Sequence, residues 1–101
     1  MFVEDLIGNT PLVEIRHINK NPNVKIYCKL EGQNPGGSVK DRAAYGMISE
    51  ALKRGDINKG DKLVEATSGN TGIALAMISR LLGLEMNLIM PDSATAERVK
   101  S

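Results

Sequence analysis

The amino-acid sequence predicts an α/β fold made of parallel-sheet βαβ units, and three observations support this prediction. Short runs in which apolar and polar residues alternate, or in which apolar residues cluster between turns, are typical of strands. Longer runs carry apolar residues at helical spacing and end at a glycine. The two kinds of run alternate through short turns, which is the order that places helices on a parallel sheet through right-handed crossovers. We therefore expect residues 1–101 to form a single α/β segment.

Strands are predicted at four places along the sequence. Residues 12–15 follow a turn rich in glycine, asparagine and proline, and residues 24–30 alternate strictly between apolar and polar side chains. Residues 62–66 and 86–90 are short runs bounded by turn residues, and Pro91 ends the second of them. The alternation in residues 24–30 predicts a strand that is buried on one face only.

Two helices separate the later strands. The first is predicted at residues 39–54, with Ser38 as its N-cap and Asp41 completing a pair that resembles a capping box. The second is predicted at residues 73–82, and both end at a glycine. A further helix begins at Ala94 and the sequence stops inside it, so we expect an incomplete opening segment of a longer chain. The apolar stripe of the first helix consists of Ala44, Met47, Ile48, Ala51 and Leu52.

The composition disfavours several classes of function. The formal net charge is +1, with 13 basic and 12 acidic residues interleaved, so no basic surface for nucleic acid or an anionic membrane is predicted. No basic leader followed by a long apolar run occurs, and we expect a cytoplasmic protein. Cys28 is the only cysteine, which excludes an internal disulfide and a multi-cysteine zinc site. We expect Cys28 to be a buried, inert thiol and His17, the only histidine, to be solvated.

Lys40 is the first candidate functional residue. It follows the predicted cap, and its spacing to Ala44 and Met47 places it on the apolar side of the first helix, where an unpaired lysine is costly. The positive end of the helix dipole and partial burial both disfavour a charged amine, and an uncharged amine is what attack on an aldehyde requires. The residues alone leave open the alternative that Lys40 extends to water while Asp41 caps the helix.

The turn between the third strand and the second helix is the other candidate site. It consists of Thr67, Ser68, Gly69, Asn70 and Thr71. Backbone N–H groups at the start of a helix face outward and favour a carboxylate, and a glycine permits close approach of a ligand. The residues alone fit an anion site, and they equally fit a plain N-cap formed by Ser68 or Thr71.

Taken together, the two segments resemble a known family. Residues 34–42, NPGGSVKDR, are similar to the cofactor-lysine motif of the cysteine synthase family, and residues 65–76 are similar to its substrate-carboxylate loop. Residues 7–12, and residues 90–93 together with Glu97 and Arg98, also resemble that family, so the likeness covers nearly the whole chain. Position 66 is alanine in this sequence and proline in many relatives, and in this respect the sequence resembles the B type of cysteine synthase. The family belongs with cystathionine β-synthase and the serine or threonine dehydratases among the fold type II, or tryptophan synthase β-like, pyridoxal-phosphate enzymes.

The resemblance implies roles for the two candidate segments. Lys40 would hold pyridoxal 5'-phosphate as a Schiff base and act as the catalytic base. Thr67, Ser68, Gly69, Asn70 and Thr71 would hold the α-carboxylate of the amino-acid substrate, and Asn70 would also bind the ring hydroxyl of the cofactor. The implied reaction is β-replacement in a homodimeric enzyme: O-acetyl-L-serine loses acetate to give an aminoacrylate, and sulfide adds to form L-cysteine.

Two patterns of the family do not occur in this sequence. One is a glycine-rich Gly-Thr-Gly-Gly-Thr-like cup for the cofactor phosphate, and the other is a serine that pairs with the pyridine nitrogen. We therefore expect the 101 residues to bind the cofactor poorly and to be inactive by themselves. A serine or threonine dehydratase, or a relative of cystathionine β-synthase, is the alternative within the family. The alternative from another class is a non-catalytic folding or interaction module.

Overall fold

The computed structural model describes residues 1–67 and 69–90, and the helix predicted from Ala94 lies outside them. Short 3-10 helices occur at Val3–Leu6 and Glu31–Gln33. The longer elements, in chain order, are β1 (Leu12–Ile15), β2 (Ile26–Lys29), α1 (Lys40–Arg54), β3 (Lys62–Ala66), α2 (Asn70–Leu81) and β4 (Glu85–Ile89).

Strands β3 and β4 confirm the predicted α/β class. They pair in parallel, from Lys62 opposite Glu85 to Ala66 opposite Ile89, and α2 connects them. This is the βαβ unit that the alternation of strand and helix patterns predicts. Gly83, which the sequence placed at the end of the second helix, has a left-handed φ of 81° just after α2.

Strands β1 and β2 differ from the largely parallel arrangement that the sequence predicts. They pair antiparallel, with Leu12 opposite Lys29 and Ile15 opposite Ile26, and form a separate two-stranded sheet. The reason is the connection: residues 16–25 are too few for the crossover that a parallel pair requires. Strand β2 is also shorter than predicted, because β1 offers only four residues with which it can pair.

Helix α1 buries Asp41, Ala44 and Ile48 along one stripe. Met47, which was predicted in that stripe, is 58% exposed, because it lies one residue before Ile48 and therefore about 100° around the helix. Gly55 ends the helix as predicted: its φ is 81°, and its N–H donates to carbonyl oxygens of the last turn.

The hydrophobic core lies where α1, α2 and the β3–β4 sheet meet. Ile78 of α2 is fully buried in it, and other apolar side chains of both helices pack around the same centre. Within the described part of the chain, the buried apolar residues of this core are Ala44, Ile48, Ala74, Leu75, Ile78 and Leu84. None of the helices in residues 1–67 and 69–90 has the length and apolar character needed to cross a bilayer.

The predicted burial of His17 and Cys28, which lie in or near the β1–β2 sheet, has different outcomes. His17 is exposed, as predicted. Cys28 is a free thiol but only half-buried, whereas the sequence predicted a buried one. The alternation in β2 was expected to bury one face, but three of its four residues are exposed among the described residues.

Candidate functional site

Lys40 is the first residue of α1 and its side chain is exposed. Its Nζ has no hydrogen-bond or ion-pair partner within residues 1–67 and 69–90. The prediction that it lies on the apolar side of the helix is wrong, because the buried stripe begins with Asp41 instead. Successive helical residues point about 100° apart, so burial of Asp41 turns Lys40 towards solvent. The amine is thus accessible to a ligand.

Asp41, the next residue, is fully buried and contacts the loop before the helix. Its Oδ2 accepts a hydrogen bond from the Gly36 N–H at 2.5 Å, and its Oδ1 is buried with no hydrogen-bond partner in the described part of the chain. A Cβ on residue 36 would lie 2.3 Å from that Oδ1, so any larger residue there would force Asp41 or the loop to move. Gly36 and Asp41 therefore form a close clamp immediately beside Lys40.

This clamp replaces the capping box that the sequence predicts. The residue in the N-cap position is Val39, and the Ser38 Oγ accepts a hydrogen bond from the Lys40 N–H at 3.2 Å. A reciprocal capping box would require the Asp41 carboxyl group to accept a hydrogen bond from the Ser38 N–H. The carboxyl group accepts from the Gly36 N–H instead. The start of the helix is consequently fixed to a loop five residues away in sequence.

A second polar cluster lies beside this clamp and is centred on Glu31. The Arg42 guanidinium donates through Nε to Glu31 Oε1 at 2.6 Å and through Nη2 to Oε2 at 3.1 Å. The Thr10 hydroxyl donates to the same Oε2 and accepts from Arg42 Nη2 at 3.2 Å. A paired, two-bond contact of this kind is both stronger and more directional than a single ion pair.

Asn34 joins the same cluster to the backbone. Its Nδ2 donates to the Glu31 carbonyl oxygen at 2.7 Å and to Glu31 Oε1 at 3.2 Å, while its Oδ1 accepts from the Gly8 N–H at 2.7 Å. Lys29 Nζ donates to the Thr10 carbonyl oxygen. Thr10 and Asn34 are both buried, so their hydrogen bonds are shielded from water.

These contacts lower the pKa of Glu31 to about 2 from its ordinary value of 4.5. The hydrogen bond from Arg42 is the largest cause, and the bonds from Thr10 and Asn34 act in the same direction. Partial desolvation opposes them. The same pairing raises the pKa of Arg42. Glu31 therefore stays ionised throughout the physiological pH range.

The lowered pKa predicts an acid-dependent contribution to stability. Ionised Glu31 contributes fully to stability above pH 4.5, the ordinary pKa of the group. The contribution shrinks as the pH falls below that value and is lost below a pH of about 2. The difference in free energy of unfolding between the protein and Glu31→Gln should therefore narrow over that interval. Urea denaturation at several pH values measures it. Glu50→Gln is the control, since its exposed pair with Lys53 should contribute little at any pH. A difference that stays constant with pH would contradict the prediction.

The second candidate segment lies at the start of α2. The helix begins at Asn70, three residues earlier than predicted, and Gly69 precedes it with φ 72° and ψ −145°, close to a region accessible essentially to glycine. Ile73 N–H donates to the Gly69 carbonyl oxygen at 3.1 Å. The N–H groups of Asn70 and Thr71 precede that first helical hydrogen bond, so the helix does not use them.

The surroundings place this helix start at the carboxyl end of the β3–β4 sheet. The Thr67 N–H donates to the Ile89 carbonyl oxygen at 3.1 Å, which joins the ends of the two strands. A Cβ on Gly72 would lie 3.4 Å from Leu88 Cδ1 and 3.5 Å from Thr67 Cγ2, so the helix packs closely on those ends. Ligands of open α/β sheets bind at the carboxyl ends of the strands.

The structure describes all but one of the predicted site residues. Asn70 is exposed, whereas Thr67, Gly69 and Thr71 are half-buried, and Ser68 lies outside the described residues. Lys40 and Asn70 open two helices that pack against each other. Among the described residues, no polar contact joins Lys40 directly to residues 69–71.

The family to which this chain belongs is shown by comparison with known families. A family described as pyridoxal-phosphate dependent enzyme matches residues 3–101 of this sequence. The chain belongs to that family. This pyridoxal-phosphate family chain is 59% identical to cysteine synthase B of Salmonella typhimurium over 96 residues. The matched residues make up 95% of this chain and 32% of the relative.

Two solved structures resemble the family member described here in fold as well as in sequence. A hydrogen sulfide-producing enzyme from Fusobacterium nucleatum has a TM-score of 0.90 and 53% identity, over 97% of this chain and 32% of its own. O-acetylserine sulfhydrylase isoform 3 from Entamoeba histolytica has a TM-score of 0.90 and 40% identity, over 98% of this chain and 31% of its own. The chain thus spans about a third of the length of these relatives.

The described residues offer groups that fit part of the family cofactor. The exposed Lys40 amine can condense with an aldehyde, since no residue in the described part of the chain competes for it. The exposed Asn70 amide and the N–H groups at the start of α2 can bind oxygen atoms of a cofactor or substrate. The described residues therefore present an amine and hydrogen-bond donors of the kinds that fit such a cofactor.

The cluster around Glu31 was missed in the sequence. Thr10 and Arg42 are 32 residues apart, and Thr10 and Glu31 are 21 apart, so no local spacing indicates their contact. Turn chemistry accounts for the glycine, asparagine and proline of residues 7–11 without any ligand or partner, so this segment gave no sign of the contacts of Thr10. The available signal was that the family motif of residues 34–42 includes Asn34 and Arg42, which a cofactor lysine alone does not require.

Proposed function

We propose that this chain is the N-terminal segment of a pyridoxal-phosphate dependent cysteine synthase, which makes L-cysteine and acetate from O-acetyl-L-serine and sulfide by β-replacement. The observation that carries the proposal is the 59% identity to cysteine synthase B over 95% of the chain. The exposed amine at the start of α1 and the helix start at Asn70 support it, because they supply the two kinds of group that the reaction needs.

Lys40 is proposed to bind the cofactor aldehyde through Nζ and, once released, to accept the α-proton of the substrate at the same atom. Its exposure and its lack of a partner among the described residues support both roles, since a base must reach the proton that it removes. Pyridoxal phosphate, when bound, supplies the electron sink for the reaction. The chain itself supplies the position of the backbone that carries the amine.

Residues 67–71 are proposed to hold the substrate carboxylate. Support comes from the N–H groups at the start of α2, which lie at the positive end of the helix dipole. The backbone of Gly69 makes the sharp turn that leaves those groups facing outward. Thr67, Ser68 and Thr71 would add hydroxyl groups, and the Asn70 amide would also donate to the ring hydroxyl of the cofactor.

The proposal extends to a homodimeric enzyme of the cytoplasm. It rests here on the resemblance of the sequence to the cysteine synthase family, and B type is favoured because of Ala66 and the identity to cysteine synthase B. Size-exclusion chromatography of the full-length enzyme with light scattering measures the oligomeric state.

The Lys40 assignment predicts a change in absorption. Mixing the full-length enzyme with pyridoxal phosphate should produce the yellow band of a Schiff base, and Lys40→Ala should remove it. Lys53→Ala is the matched control, because Lys53 is an exposed lysine of the same helix, and it should leave the band unchanged. Equal bands in all three proteins would exclude Lys40 as the attachment site. A band in none of them would favour the non-catalytic module.

A product assay separates the proposed activity from its family rival. The full-length enzyme, given O-acetyl-L-serine and sulfide, should form cysteine and acetate. A dehydratase would instead form pyruvate from serine, or ketobutyrate from threonine, without using sulfide. Formation of the keto acid with no cysteine would overturn the proposed β-replacement while leaving the cofactor assignment intact.

A further inference from the structure

Three segments that are distant in sequence meet at one polar cluster beside Lys40. They are residues 8–10, residues 29–34 and the first turn of α1, which contributes Arg42. Glu31 is the common member, since it accepts hydrogen bonds from Arg42, Thr10 and Asn34. The cluster formed by Thr10, Glu31, Asn34 and Arg42 is named the Glu31 network below.

The Glu31 network acts on the backbone that carries Lys40. Arg42 lies two residues after Lys40, and its guanidinium packs over Gly8, where a Cβ would lie 3.0 Å from Nη1. On the other side of Lys40, the main-chain carbonyl oxygen of Asn34 accepts a hydrogen bond from the Gly37 N–H at 2.8 Å. The network thus holds the loop before Lys40 and the helical turn after it.

The Lys40 side chain itself has no partner in the described residues that could orient it. The direction of its amine therefore depends on the position of the backbone at the start of α1. The two hydrogen bonds between Arg42 and Glu31, with buried Thr10 and Asn34 around them, restrict that backbone more than a single-bond ion pair at the surface does.

We infer that the Glu31 network is a positioning device for Lys40, and that the opening segment at residues 8–10 serves the proposed cofactor site through it. The inference rests on the proposed function of Lys40. Each of the four residues acts through the backbone and none is assigned a contact with substrate. Loss of Arg42 should therefore reduce the selectivity of Lys40 for the cofactor aldehyde while the fold remains.

The test measures labelling at two lysines of α1. The full-length enzyme is mixed with pyridoxal phosphate, the Schiff bases are reduced with borohydride, and the ratio of label on Lys40 to label on Lys53 is determined by peptide mass spectrometry. Both lysines are exposed, so Lys53 reports nonspecific reaction in the same sample. Circular dichroism and the urea midpoint confirm that each variant is folded during labelling.

We expect Arg42→Ala to lower this ratio by about ten-fold, because misplacement of a reacting group lowers its reactivity strongly. Arg54→Ala is the matched control: it removes an exposed arginine pair with Asp56 at the other end of the same helix and should leave the ratio unchanged. Arg42→Lys should recover the ratio only in part, since lysine cannot make the two-bond contact with Glu31.

Glu31→Gln is the milder variant, and it replaces Arg42→Ala in the test if Arg42→Ala does not fold. It should also lower the ratio of label on Lys40 to label on Lys53. In the double variant, the ratio should fall no further than in Arg42→Ala alone, because Arg42→Ala already removes the contact that Glu31→Gln weakens. Retention of the wild-type ratio in folded Arg42→Ala or Glu31→Gln would overturn the positioning role and leave the proposed function standing. No preference for Lys40 in the unaltered protein would overturn the proposed role of Lys40, and the inference with it.

Discussion

Replacing Ile78 with alanine is expected to lower the free energy of unfolding by about 2 to 5 kcal/mol, the usual cost of truncating a buried isoleucine. Ile78 is fully buried in the core between α1, α2 and the β3–β4 sheet. Its neighbours in that core include Ala44 and Ala74, whose single methyl groups have no freedom to move into a cavity. The cost should therefore lie towards the upper end of the range.

Urea denaturation of the variant measures this effect, and Ile18→Ala is its control. Ile18→Ala makes the same chemical change at a side chain that is 75% exposed. The free energy of unfolding of this variant should therefore stay within about 0.5 kcal/mol of the value for the unaltered protein. Since whole domains are stable by only about 5 to 15 kcal/mol, Ile78→Ala removes a large part of the total. Equal effects at both positions would show that the core is not centred on Ile78.

Gly36→Ala is expected to destabilise the fold by about 1 to 3 kcal/mol, as overpacking of a filled site does. The added Cβ would lie 2.3 Å from Asp41 Oδ1. Asp41 cannot turn away freely, because it is fully buried and its other oxygen binds the Gly36 N–H. The clash must therefore be relieved by movement of the loop before Lys40.

The same substitution at Gly46 should have the opposite sign. Gly46 lies inside α1, and a Cβ there meets no atom within 4 Å, so Gly46→Ala should stabilise the protein by about 0.5 to 1 kcal/mol. The clamp also predicts coupling: in an Asp41→Ala background, Gly36→Ala should cost less than in the unaltered protein. A stabilising Gly36→Ala would show that the clamp between Gly36 and Asp41 does not form.

Local patterns in the sequence predict most elements of this fold. The bounds of β1 and β3 are confirmed, and α1 begins only one residue after its predicted start. Helix α2 begins earlier than predicted, at Asn70, because Gly69 completes the turn in one residue and leaves its polar neighbours free to enter the helix. Polar residues suit both a turn and the first turn of a helix, so their type does not separate the two.

The candidate site was predicted less completely, and the reason is the range of its contacts. The motif around Lys40 and the turn at residues 67–71 are each continuous in sequence. The buried position of Asp41 could not be predicted, since acidic side chains are rarely found in a core without a partner. The contacts of Thr10 with Glu31 and Arg42 depend on the folded path of the chain and leave no period in the sequence.

The adjacency of Lys40 and Asp41 has an entropic consequence for any ligand that Lys40 binds. Because Asp41 and Gly36 hold the backbone at the start of α1, its conformational freedom is lost when the chain folds and not when a ligand arrives. Only the rotamers of the Lys40 side chain remain to be restricted, at a cost of up to about 2 kcal/mol. A rigid backbone beneath a freely rotating amine thus combines preorganisation with the reach that a swinging side chain needs.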